Sequence, residues 1–169
     1  MEENSIDSLI NNERPKALKV LCILSFVNLG FSFLGIILQF LSGPASKKDM
    51  LFQRAEMSKN IEQLENMNAD FAVDAIHKLT AMAESLNDSF YAVTVLTLIS
   101  SAVGLFGVLK MWKGAKIGFH FYIIYSLITV GQVYLFVSPS SIPSFIVIWN
   151  LLIAGLFVFL YSRNLSWMK

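Results

Sequence analysis

The sequence predicts an all-α membrane protein with four transmembrane helices and an extracytoplasmic helical hairpin between the first and second spans. Three observations lead there. Apolar residues fill 55% of the 169 positions and charged residues only 15%, against roughly a quarter charged in ordinary globular chains. Mean hydropathy is +0.59. The charges are also sorted along the chain. The first 88 residues hold eight Lys or Arg and twelve Asp or Glu, whereas everything from Ser89 onward holds five basic residues and no acid. Such a chain has too few polar side chains to cover a water-soluble sphere, and this excludes a soluble enzyme. Its hydrophobicity excludes disorder.

A transmembrane helix needs roughly 20 mostly apolar residues to cross a hydrocarbon core of about 30 Å. Four stretches qualify: residues 17–41, 90–109, 117–136 and 143–161. None contains Asp or Glu, and Lys19, near the start of the first, is the one basic residue inside them. It is placed to snorkel toward the headgroups. Gly43-Pro44 stops the first span, Lys113-Gly114-Ala115-Lys116 separates the second from the third, and a Ser-Pro segment at 138–143 separates the third from the fourth.

Basic residues near span ends set orientation. Arg14, Lys16 and Lys19 flank the first span, Lys110, Lys113 and Lys116 mark the second loop, and Arg163 and Lys169 follow the fourth. Alternating spans put these three segments on one side. Residues 1–16 and 162–169 are therefore expected to be cytoplasmic tails, and residues 42–89 to lie outside the cytoplasm. Lys47 and Lys48 run against this pattern. Aromatics follow it: Trp112, Tyr161 and Trp167 fall at the inner interface, and Tyr91 and Tyr134 near the outer one. The first span is longer than the apolar region of a signal peptide and follows an acidic stretch (Glu2, Glu3, Asp7, Glu13), so it is expected to be retained.

The segment between the first two spans is the distinctive part. Residues 45–103 contain no Gly and no Pro, which suits long helices. Ser46 with Asp49 reads as a capping box. Met57, Ile61 and Leu64, then Phe71, Leu79, Met82 and Leu86, recur at helical spacing among charged residues. A single straight helix over 47–89 would run roughly 60 Å from the membrane surface, yet both of its ends belong at that surface. The chain is therefore expected to turn back near Asn66 to Asn68, where Asn suits turn conformations. The apolar stripe either closes the two arms on each other or serves as a partner-binding face. Two helices alone bury little area, which favours some further contact.

The chemistry of active sites is missing from this pattern. The spans hold no ionisable group at depth, as transport pathways usually do. His77 stands alone in the loop and Cys22 is the single cysteine, so no catalytic, cofactor or metal site is expected. The basic residues form no phosphate-spaced stripe, so no nucleic acid is expected. Asn28, Gln39, Gln132 and Asn150 are polar and uncharged within or beside the spans; they either bond between helices or line a ligand pathway. Ser100 with Gly104, and Gly30 and Gly35, offer small surfaces for close helix packing. Lys113, Lys116 and His120 are candidates to meet a lipid headgroup.

Two stretches, Arg14-Pro15-Lys16-Ala17-Leu18-Lys19 leading into the first span and Met111-Trp112-Lys113-Gly114-Ala115-Lys116 between the second and third, resemble a group of small, uncharacterised four-span inner-membrane proteins of Bacteroidetes-type bacteria. That group shares an Arg-Pro start, an acidic Met-rich outer loop and a Met-Trp-Lys junction. The resemblance implies a bacterial inner membrane with the hairpin in the periplasm, and it implies no activity. The expected role is a non-enzymatic accessory or scaffold subunit, associating with a larger membrane complex or with itself through the hairpin and helix faces. The alternative is a lipid or small apolar-ligand binding or transport protein acting as an oligomer.

Overall fold

The computed structural model describes residues 14–169, and the acidic stretch of Glu2, Glu3, Asp7 and Glu13 lies outside them. Four helices are long and apolar enough to cross a membrane: α1 (Lys16–Ser42), α4 (Phe90–Trp112), a third comprising α5 (Ile117–Gly131) and the short α6 (Val133–Phe136), and α7 (Ser144–Ser162). Between α1 and α4 lie two more polar helices, α2 (Lys47–Asn66) and α3 (Asp70–Asp88). Large apolar side chains such as Phe31, Leu127, Leu135 and Trp149 stand exposed around the bundle, as lipid-facing residues do.

Local chemistry explains where each helix begins and ends. Pro15 precedes α1 and accepts the first helical bond from Lys19 N (3.1 Å). Gly43, at φ 77° and ψ −177°, ends the helix in a conformation that needs glycine. Ser46 and Asp49 form the reciprocal capping box expected of them, each side chain accepting the other residue's backbone N–H at 3.2 Å. The same stop motif closes α2 and α4. Asn68 takes a left-handed φ of 54°, with Asn68 N bonded to Glu65 O and Ala69 N to Leu64 O. Gly114 takes φ 79°, with Gly114 N bonded to Met111 O and Ala115 N to Lys110 O. This paired bonding satisfies carbonyls that a helix end otherwise leaves orphaned.

The chain reverses at residues 67–69, and α3 returns along α2. Arg54 pairs with Glu84, Thr80 Oγ1 lies 2.9 Å from Met57 Sδ, and the Asn87 side chain clasps both backbone groups of Ala45. At Ser89 the backbone leaves helical geometry (φ −103°, ψ 21°), so α3 and α4 join through a bend. Hydrogen bonding across Arg54 holds the Glu84 carboxyl below its usual 4.5. A depressed carboxylate stabilises the fold above its ordinary pKa, and the contribution disappears as pH falls through the folded value. Amide exchange in α2 and α3 is therefore expected to be faster in Glu84→Gln than in the parent near neutral pH. The difference should vanish in acid well below 4.5. A difference that persists there would assign it to packing.

α4 lies against α1 and α5, α5 also meets α7, and α1 touches α7 only lightly. The main buried core gathers Leu18, Leu21, Cys22, Leu29, Val108, Met111, Phe119, Tyr122, Tyr161 and Met168, from mid-bundle toward the end that carries residue 14 and Lys169, and Phe90, Val137 and Ile142 are buried toward the other end. Arg14 stacks 3.9 Å above the Trp112 ring and donates to Trp112 O at 2.7 Å. Residues 163–169, within the expected tail of 162–169, fold back onto the bundle. Met168 is buried, Lys169 N donates to Gly114 O, and Lys116 N donates to Lys169 O. A buried Met and two backbone bonds hold this segment in place.

Candidate ligand groove between the spans

α5 carries a polar stripe. Tyr122, Tyr125, Ser126 and Thr129 recur at the spacing that places residues on one helix face. The stripe faces a gap between α1 and α7, where the two helices scarcely meet. A groove of about 440 Å³ opens there, lined by Ser25, Asn28 and Leu29 of α1, the α5 stripe, and Asn150, Ala154 and Phe157 of α7. Its volume suits a small ligand. Asn28 lies twelve residues along from Lys16, and Asn150 lies twelve back from Ser162. Each is thus about 18 Å from the same end of the bundle, and the two amides sit at one level deep in the apolar zone.

Most hydroxyls of the groove are already engaged. Ser126 Oγ donates to Tyr122 O and Thr129 Oγ1 to Tyr125 O, both at 2.9 Å, and Ser25 Oγ accepts from Tyr161 OH at 2.9 Å. Neither Asn28 nor Asn150 has a side-chain hydrogen bond among the described residues, and both line the groove. An amide without partners in hydrocarbon is costly. A bound polar group or water would complete it.

A second recess of about 270 Å³ adjoins the first and shares Thr129, Val130 and Asn150 with it. It continues past Gln132, Phe136 and Ile146 to Met82 and Leu86 at the base of the hairpin. Gln132 also reaches Thr97 Oγ1 across to α4, at 3.5 Å. Three of the four uncharged polar residues therefore converge on one continuous recess. Asn28, Asn150 and Gln39 are all exposed on their helices, and Gln39 lines neither part. No family model matches this chain, and no curated protein or solved structure matches it either.

The hairpin stripe is largely occupied. Met57, Ile61, Leu64, Leu79, Met82 and Leu86 are all half-buried, with Met82 and Leu86 lining the second recess, while Phe71 is 77% exposed. Lys113, Lys116 and His120 are exposed on the outside of the α4–α5 turn, with His120 Nδ1 3.3 Å from Lys116 O. They line neither recess. His77 is exposed, Cys22 is buried in the core, and no cluster of three metal-ligating side chains occurs among the described residues. Sequence reasoning missed the α5 stripe. Its signal was present in the spacing of Tyr122, Tyr125, Ser126 and Thr129, polar positions on one face of an apolar span.

Proposed function

We propose that this protein is a non-enzymatic, multi-pass protein of a bacterial inner membrane that holds a lipid or small apolar ligand bearing a polar group. The ligand lies in the lateral recess between α1, α5 and α7, the termini are cytoplasmic, and the hairpin is periplasmic. The carrying observation is the convergence of Asn28 and Asn150, without bonding partners among the described residues, on one groove in the apolar zone. The polar end of the ligand meets these amides, and its apolar part follows the recess past Ile146 toward Met82 and Leu86. Copurifying molecules, extracted from protein isolated in mild detergent and weighed by mass spectrometry, test this. Asn28→Leu with Asn150→Leu, and separately Ala154→Trp, which fills the groove, should each lose most of a stoichiometric ligand. Gln39→Leu should keep it. Absence of any such ligand from the parent protein, or equal loss in Gln39→Leu, would sink the reading.

A second reading, an accessory or scaffold subunit of a membrane complex or homo-oligomer, draws on a different observation. Gly30, Gly35 and Gly155 have no atoms within 4 Å of where a Cβ would stand, leaving small surfaces that close helix packing with another chain would use. Leu51, Phe52 and Phe71 stand exposed on the hairpin as well. The stripe predicted to bind that partner is mostly covered, so this reading rests on the helix faces and these three residues.

A further inference from the structure

We propose that the seam between α1 and α7, at the end of the bundle that carries residue 14 and Lys169, is a binding site for an anionic phospholipid. A shallow groove of about 610 Å³ runs there, floored by Val20, Leu21 and Leu160 and bordered by Lys16, Arg163 and Asn164. It is a separate place from the recess around Asn28 and Asn150, and it stands whether or not that recess holds a ligand.

Three features carry the assignment. The groove is amphipathic in the sense a phospholipid requires. Lys16 opens the first turn of α1 and Arg163 follows the last turn of α7, so both cations sit at headgroup level while the apolar floor points into the bilayer. Charge complementarity selects the sign of the headgroup. No carboxylate side chain follows Asp88, and the ion pairs among the described residues are Arg54–Glu84 and Lys78–Asp74, neither of which involves this groove. Finally, α1 and α7 touch only lightly, so an apolar gap between the two spans begins at the level of the two cations. Basic recesses of this kind between transmembrane helices receive anionic headgroups. The Arg163 fork suits a phosphate bidentately. Lys113 and Lys116, on the far side of the α4–α5 turn, line no part of this groove.

The test uses the full chain in mild detergent, titrated with phosphatidylglycerol or phosphatidylcholine, with bound lipid read by native mass spectrometry. Phosphatidylglycerol should be preferred by about 10- to 30-fold, from two cations near the headgroup. Lys16→Gln with Arg163→Gln should abolish the preference, and the charge-keeping pair Lys16→Arg with Arg163→Lys should retain it. Lys113→Gln with Lys116→Gln should leave it unchanged, and millimolar inorganic phosphate should not compete. Equal losses in the two glutamine pairs would reduce the effect to general surface attraction and overturn the site. So would competition by free phosphate, or the absence of a preference in the parent protein. A rise in phosphatidylglycerol binding on neutralising Glu2, Glu3, Asp7 and Glu13, with no fall from the Lys16 and Arg163 changes, would give the groove to the chain's own acidic start and equally overturn it.

Discussion

Gly118→Ala is expected to lower the stability of the helical bundle by about 2–3 kcal/mol, the scale of an overpacked core. At the α4–α5 crossing the two backbones are nearly in contact through Gly107 and Gly118. A Cβ on Gly118 would collide with Gly107 O, lie 2.6 Å from Met111 N and 2.8 Å from Lys110 Cβ. A Cβ on Gly107 would lie 2.9 Å from Gly118 O and 3.0 Å from Tyr122 N. The obstacles are mostly backbone atoms, which cannot rotate away, so the helices must separate and take Phe119 and Tyr122 out of the core. Gly107→Ala should behave in the same way. Gly30→Ala, Gly35→Ala and Gly155→Ala meet nothing within 4 Å, so they should be neutral or slightly stabilising, because alanine is the better helix former. Unfolding followed by tryptophan fluorescence in a detergent titration would rank the five variants. Equal behaviour of all five would mean that the α4–α5 crossing is not where the structure places it.

Tyr161→Ala should cost about 3–5 kcal/mol, the range for deleting a large buried ring. Tyr161 is fully buried, its ring centroid lies 4.8 Å from that of Tyr122, and its hydroxyl donates to Ser25 Oγ at 2.9 Å. It bonds α7 to α1 at a seam where the two helices touch only lightly. Tyr161→Phe keeps the ring and should lose only about 1 kcal/mol, as interhelical hydrogen bonds in membranes do. Ser25→Ala should cost at least as much, because it leaves the tyrosine hydroxyl buried without a partner. A cycle of the two single variants and the double variant measures the coupling directly. Zero coupling would show that the bond is not made.

The spans were legible in the sequence because each is a run of about 20 apolar residues, the length that crosses a bilayer, and hydrocarbon leaves the backbone of such a run no partners except its own. The helix ends were legible where a residue type has one conformational use: Gly43 before Pro44, the Ser46–Asp49 box, Gly114 in its turn. Asn68 belongs here as well, since its left-handed φ of 54° is the conformation that asparagine tolerates best after glycine. Rotation of each span about its own axis was not legible. α1, α4 and α7 are apolar on all sides, so no moment marks an inner face. Whether Asn28 and Asn150 would meet, 122 positions apart, therefore depended on packing that the pattern does not encode. The fold-back of residues 163–169 was hidden for a different reason. It rests on Met168 filling a gap and on two backbone bonds to the α4–α5 turn, and backbone groups look alike in every sequence.

The gap between α1 and α7 opens sideways. A molecule reaching Asn28 and Asn150 would travel in the plane of the bilayer, and the quantity governing occupancy would be its mole fraction among the surrounding lipids, not its aqueous molarity. A compound almost insoluble in water would then saturate the protein in a native membrane, and would drain from it as micelles dilute the lipid phase.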